Sequence, residues 1–421
     1  MISISKKRTY TLTQEQVFMV SVLIVNGGNY AYNLILGRLL GPEQFSDAAV
    51  LITFLLVLSF VAMTFQLATA KFSVTFNDSL LSKFVSNMHT YGILIGVITG
   101  LLTIVFANQL QALFHTSSSG MFMVFGIGIP LYFMMSVNRG VFQGKKQFKM
   151  LSITYQLEML SRLVITLGLI VLFDIKSSIV IAIGILLSFG FGLIPFKFKK
   201  LSFKGLGITY AKETKQIRRF FIITAFYEFT QIIINNSDIL LVKHFFESWD
   251  AGLYAALALI GRIVYFIAWM FVMLLLPTVV QLKKEGKATA PILFKYVGYI
   301  ACISLLIIGA TAVFPEMAIQ LLFGEQYLEI APLLWKYALA TGLFAIANIF
   351  AYYYLSLDKY VPVVISGVFG MLQMGLVIFF HDSLVQVVHM QIAAMVLLLA
   401  TQIAFFFFDA GKNKYARNKS L

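Results

Sequence analysis

Four stretches of this chain place charged or amide side chains at helical spacing inside strongly apolar sequence. Glu158 and Arg162 stand four residues apart, hence on one helix face. Glu228, Gln231, Asn235 and Asp238 follow one another at spacings of three, four and three, which makes a single stripe. Asn26, Asn29 and Asn33 repeat at three and four, with Arg38 just beyond them, and Arg262 leads a face continued by Tyr265. On insertion scales a charged side chain at the centre of a bilayer span costs about 2.5–3.5 kcal/mol, so it needs a partner or a wet cavity. Glu158 and Arg162 satisfy each other as an i, i+4 pair, and Asn also serves as glue between helices. Arg262 has no acid on its own turn, and the stripe on the seventh span is too long for one interhelical bond. Both are expected to line a cavity.

The elements that must hold these residues are transmembrane helices. Of the 421 residues, 60% are hydrophobic and only 12% charged, about half the charge of an average soluble domain. Apolar runs of about 20 residues, the length that spans a bilayer, fall near 15–37, 45–70, 87–107, 120–143, 148–173, 177–196, 219–243, 250–280, 291–314, 330–355, 360–380 and 384–408. The fold expected is an all-α polytopic membrane protein of twelve spans. A helical rise of 1.5 Å per residue puts Glu158 about 15 Å, Glu228 about 13 Å and Arg262 about 18 Å from the nearest span end. All three are expected near midplane, with Arg162 further out and Arg38 and Asp238 at the external mouth. Gly92, Gly96 and Gly100 recur every four residues and suit a close helix crossing. Tyr352–Tyr354 and Phe405–Phe408 suit an interfacial belt or a lipid-facing surface.

Lysine and arginine set the orientation. One side collects Lys6–Arg8, Lys71, Lys83, Arg139, Lys145, Lys146, Lys149, the Lys197–Arg219 run, Lys283–Lys295, Lys359 and Lys412–Lys419. The other keeps Arg38, Lys176, Lys243 and Lys336 among acids that include Asp47, Asp250 and Glu329. Positive residues stay on the cytoplasmic side, so both termini are expected there, and the net charge of +14 reports topology rather than nucleic-acid binding. The first span has no small-residue cleavage site, so no removable signal peptide is expected. The longest basic connection divides the chain into an N-terminal six-helix lobe (1–200), a cytoplasmic linker (201–218) and a C-terminal six-helix lobe (219–421). An offset of 206 residues aligns Asn29 with Asn235, Leu34 with Leu240, Ala49 with Ala255 and the turn at Pro42–Ser46 with that at Ser248–Gly252. Six spans per half make such a pseudo-repeat parallel, and two lobes so related leave a central cavity suited to alternating access.

Enzyme chemistry has little to work with. The chain carries no nucleotide-binding glycine loop, no His-Glu-x-x-His and no Gly-x-Ser-x-Gly, and the one cysteine, Cys302, excludes disulfides and thiolate clusters. His89, His115, His244, His381 and His389 lie scattered, without metal-ligand spacing. No enzymatic activity, cofactor, metal or ATP-driven pumping is expected.

The segment Asn29-Tyr-Ala-Tyr-Asn-Leu-Ile-Leu-Gly-Arg-Leu-Leu-Gly-Pro-Glu-Gln-Phe resembles the first-span-and-turn signature of the polysaccharide biosynthesis flippases in the multidrug/oligosaccharidyl-lipid/polysaccharide exporter superfamily. Arg139-Gly-Val-Phe-Gln-Gly-Lys-Lys-Gln-Phe, followed by Glu158 and Arg162, resembles that family's fourth-to-fifth-span signature, and Ala251-Gly-Leu-Tyr-Ala-Ala its second-half turn. Two departures stand out: Ser46-Asp47 occupies a place usually held by Gly and an apolar residue, and Trp249 replaces Pro or Glu. The resemblance implies a bacterial inner-membrane flippase for a polyprenyl-diphosphate-linked oligosaccharide. Such a substrate needs a cationic anchor for its phosphates, which Arg262, Arg38 and Arg162 would supply through planar, two-pronged hydrogen bonding. Asn29, Asn33, Gln231 and Asn235 would meet sugar hydroxyls, and Glu228, Glu158 or Asp238 would bind a coupling proton or sodium ion. The implied partners are the lipid-linked glycan, membrane lipids and a glycan polymerase with other assembly proteins, around a monomeric transporter. A multidrug exporter of the same superfamily would share the architecture but would need an acidic, aromatic pocket without a central arginine. A membrane glycan polymerase or ligase would need reactive groups on a long external loop.

Overall fold

The computed structural model describes residues 14–174, 176–196, 211–357 and 359–419, and among these it contains helices and no strand. The first, α1 (Gln14–Thr75), is interrupted at Gly41, whose φ of 73° and ψ of 171° are open to glycine and strained for other residues. Then come α2 (Asp78–Val105), α3 (Ala107–Phe114), α4 (Gly120–Gly144), α5 (Phe148–Phe173), α6 (Ser178–Gly192) and α7 (Ala211–Phe245). The remainder comprises α8 (Ser248–Gly261), α9 (Ile263–Lys284), α10 (Ala290–Val313), α11 (Pro315–Leu322), a 3-10 segment (Glu325–Leu333), α12 (Leu334–Ser356), α13 (Val361–Phe379) and α14 (Leu384–Lys419). Side-chain caps start some of them: Asn77 accepts from the Leu80 amide at 3.1 Å, and Ser177 from that of Ile179 at 3.3 Å.

Eight of these helices are long and apolar enough to cross a membrane, and α6 is a shorter apolar helix. Their outer faces are greasy: Leu172 is 79% exposed and Phe379 81%, which water would penalise and acyl chains do not. The protein is a multi-pass membrane protein. The aromatic runs divide between two environments. Phe407 and Phe408 are exposed, as expected of a lipid-facing surface, but Tyr353 and Tyr354 are buried in a core built with Leu293, Ile349 and Phe406. Helical rotation turns consecutive residues by about 100°, so neither run could lie wholly on one face.

The chain forms two compact units. The first holds residues 1–32, 62–107 and 120–222, and the second 33–61, 108–119 and 223–421. Residues 33–61 and 108–119 thus group with the residues that follow 222. The expected linker 201–218 lies partly outside the described residues. Residues 197–210 lie outside the described residues, as do the basic N-terminus and the side chains from 412 onward, whereas 211–218 already form the first turns of α7. The sequence Ala211-Lys-Glu-Thr-Lys-Gln-Ile-Arg is made mostly of strong helix formers, so it extends the helix beyond its apolar part.

Glycines permit the tightest packing. In the first unit Gly96 faces the Pro130 Cα, which would lie 2.8 Å from an added Cβ, and Gly100 faces the Gly126 carbonyl. This is the close crossing of α2 on α4 that the glycine spacing predicts. In the second unit Gly252 rests against the Pro42 backbone. Gly252→Val is expected to cost about 1–3 kcal/mol through overpacking, read as a lowered thermal midpoint in detergent; an unchanged midpoint would show that the turn yields freely.

Candidate functional site

Each unit buries its own polar cluster. In the first, Arg139 of α4 reaches Glu158 of α5, Nη2 to Oε2 2.8 Å, and donates through Nε to Thr154 Oγ1 at 3.1 Å. Its guanidinium lies 3.9 Å from the Tyr155 ring centroid. Arg162 approaches the other carboxylate oxygen at 3.8 Å and donates from Nη2 to Asn29 Oδ1 at 2.6 Å, while its Nε, buried, makes no hydrogen bond among the described residues. Around them the Gln66 amide donates to Gln143 and to the Tyr155 hydroxyl, both at 3.0 Å. Two guanidinium groups therefore share one carboxylate, leaving a buried excess of positive charge. Such an excess calls for an anion, because an uncompensated charge in a medium of low polarity is costly.

This differs from the i, i+4 pair expected. Glu158 makes its short contact with Arg139, which the charge distribution groups with the cytoplasmic side and which is buried. The sequence carries a signal for this role, since Arg139 falls inside the apolar run 120–143.

The second unit centres on Asp238, 2% exposed. Its Oδ1 pairs with Arg262 Nη2 at 3.2 Å, and its Oδ2 accepts from the hydroxyls of Tyr337 (2.7 Å) and Tyr254 (3.1 Å) and from Gln391 Nε2 (3.1 Å). Arg262 also donates to Asn236 Oδ1 at 3.3 Å. It sits where α8 gives way to α9, and Thr341 Oγ1 donates to the preceding carbonyl, that of Gly261, at 2.8 Å. Asn235, Asp238, Arg262, Tyr337, Thr341 and Gln373 line a small pocket, and Gln373 Oε1 is buried there without a hydrogen bond among the described residues.

One expectation needs correction. Arg262 is compensated by Asp238, which is itself buried in its unit. The stripe positions made this partner reachable, but nothing in the one-dimensional pattern reveals that the chain turns at Arg262 and aims it back at α7. The tyrosines and Gln391 were missed because a hydroxyl or amide on an apolar helix carries no spacing signal of its own.

The other expected residues separate. Gln231 donates to Asn348 Oδ1 at 3.2 Å and accepts from Tyr265 at 3.4 Å, and Asn235 bonds back to the Gln231 carbonyl at 2.8 Å. Glu228 is half-buried and makes no hydrogen bond or ion pair among the described residues. Asn33 is half-buried, and Arg38 is exposed and donates to the Leu321 carbonyl at 3.2 Å. Lys243 and Asp47, expected on the external surface, form a buried pair at 3.0 Å. Lys243 also donates to Ser46 Oγ and Ser248 Oγ, and Asp47 accepts from Ser117. The unusual Ser46-Asp47 thus accommodates a buried lysine.

No curated protein sequence matches the chain. Among solved structures, the inward-facing conformation of a multidrug resistance MATE family transporter of the MOP superfamily has a TM-score of 0.75 at 11% identity, covering 96% of this chain and 100% of its own. The lipid II flippase MurJ in an inward closed conformation has a TM-score of 0.73 at 14% identity, covering 93% of this chain and 87% of its own. An outward-facing MATE transporter has a TM-score of 0.59 at 12% identity over 96% of this chain and 97% of its own. At such identities the likeness concerns the fold. The family model described as polysaccharide biosynthesis protein matches residues 35–332, most of the chain. A multi-pass helical chain with the fold of the MOP-superfamily transporters and a family match of that extent belongs to the polysaccharide biosynthesis protein family.

Proposed function

We propose that this protein is a flippase that carries a polyprenyl-diphosphate-linked oligosaccharide across the bacterial inner membrane by alternating access. It works without breaking a bond, as a monomer whose termini both lie in the cytoplasm and whose product passes to a glycan polymerase and other assembly proteins. The observation that carries this reading is the pair of buried guanidinium groups, Arg139 and Arg162, sharing the single carboxylate of Glu158. A diphosphate supplies the missing negative charge, and Arg162 has an unused Nε to donate. Asn29 holds Arg162 in place. The pocket beside Arg262, lined by amides and hydroxyls, suits glycan hydroxyls better than phosphate, because Asp238 already balances that arginine.

Twelve spans accord with the helices. The break at Gly41 divides α1 into two crossings, and α6, α7 and the α8–α9 pair add to the eight that qualify on their own. The parallel pseudo-repeat is supported by the packing of Gly252 on Pro42, since turns equated by the 206-residue offset would meet near a two-fold axis. A drug exporter for organic cations is disfavoured by the positive excess, which repels such substrates.

Coupling falls to Glu228, because Glu158 and Asp238 are engaged by arginines. Glu228→Gln is expected to keep substrate binding and to lose the stimulation of transport by an imposed proton or sodium gradient. The test of the whole reading is flipping of a labelled polyprenyl-diphosphate glycan by the full chain in proteoliposomes. Movement of organic cations without movement of the glycan would refute it, and gradient dependence unchanged in the Gln variant would remove Glu228 from coupling.

A further inference from the structure

Away from both polar clusters, cations converge at one end of the first unit. Gly144, the last residue of α4, packs on the Ala70 carbonyl and on Ser73 of α1, which brings the Lys145-Lys146 turn beside Lys71. Phe72 meets Phe84 of α2 edge-on at 5.6 Å and Phe220 of α7 at 6.0 Å between ring centroids. The Lys71 ammonium lies 4.0 Å from the centroid of the same Phe220 ring. On α7, Lys212, Lys215 and Arg219 recur at three and four residues with Arg218 beside them, all exposed, while Phe221 packs on Phe65 at 4.9 Å. Across 71–84, 144–149 and 212–219 the only acids are Asp78 and Glu213.

The retention of lysine and arginine on one side of a membrane accounts for the sign of these residues. It does not require three segments, distant in sequence, to meet over an aromatic floor. We infer that this end of the unit binds the anionic headgroups of phospholipids in the leaflet it faces. Lys71 lies four residues before the end of α1 and Lys83 within the second turn of α2, so these ammonium groups stand at headgroup level. Their methylene stems can lie along the phenylalanines while the charges reach phosphodiesters, the snorkelling geometry of interfacial lysines. A nucleic acid or an acidic protein would need cations standing clear of the headgroup layer, and Lys71 and Lys83 do not. Lipids held here would tether the first turns of α7, a helix that contributes residues to both units.

The test uses the full chain in detergent, titrated with phosphatidylglycerol, cardiolipin or phosphatidylcholine, with bound lipid counted by native mass spectrometry. Both anionic lipids are expected to bind about tenfold more tightly than phosphatidylcholine in low salt, with the preference shrinking in high salt. Combining Lys212→Gln, Lys215→Gln, Arg218→Gln and Arg219→Gln should remove most of that preference, whereas Lys212→Arg with Lys215→Arg should retain it. If the fourfold variant does not fold, Lys145→Gln with Lys146→Gln must show a partial loss. An absent preference in the wild type, a preference undiminished in the glutamine variants, or tighter binding of a short RNA or acidic peptide than of phosphatidylglycerol would each overturn the inference.

Discussion

Arg162→Ala is expected to reduce flipping of a polyprenyl-diphosphate glycan by about two orders of magnitude or more. The estimate rests on two charge-assisted hydrogen bonds to a phosphate, each contributing about 1.5–3 kcal/mol. Arg162→Lys retains the charge but lacks the planar fork, and should recover only part of the rate. The geometry also ranks the neighbouring substitutions. Glu158→Gln strips the shared partner from both Arg139 and Arg162, so it should destabilise the protein more than Arg162→Gln, which leaves the Arg139–Glu158 contact of 2.8 Å intact. Adding Arg162→Gln to Glu158→Gln should therefore restore only part of the lost stability, because Arg139 stays unpaired. The measurements are initial flipping rates in proteoliposomes and thermal midpoints in detergent. Wild-type flipping by a well-folded Arg162→Ala protein would exclude this guanidinium from the substrate path.

Asp238→Ala is expected to destabilise the second unit by about 3–5 kcal/mol, the range for removing one partner of a buried ion pair. The loss is not confined to Arg262, because the Tyr254 and Tyr337 hydroxyls and the Gln391 amide all donate to this carboxylate. Arg262→Ala should cost less, since those three donors still satisfy the Asp238 charge in part. In a double-mutant cycle the Asp238→Ala, Arg262→Ala pair should then be more stable than the sum of the single changes allows. Thermal or denaturant unfolding in detergent would read this order. Equal losses for the two single variants would mean that the tyrosines and Gln391 contribute little to holding the carboxylate.

These two clusters mark where legibility in the sequence ends. The spacing of Glu158 and Arg162 rightly placed both on one face of a span, yet their main partners, Arg139 and Asn29, come from other helices 19 and 133 residues away in the chain. Asp238 and Arg262 both stand out in the sequence, but their spacing does not show that each is the other's counter-charge. Hydropathy marks the ends of an apolar run but not a junction within it, and Arg262 sits at the junction of two helices.

Hydrophobic length and charge distribution determined by themselves that this chain is a multi-pass helical membrane protein, because a bilayer admits few other ways to satisfy an apolar chain's backbone. Local motifs carried the family, and the glycine period carried the crossing of α2 on α4, since both are written in consecutive or helically spaced residues. Only the tertiary structure decided which charges meet: two arginines on one carboxylate in the first unit, one arginine balanced by one aspartate in the second, and Lys243 drawn inward by Asp47. Inside an apolar fold the energy of a charge depends on the partner within a few ångströms, and that partner comes from whichever helix packs alongside, which no spacing along the chain records.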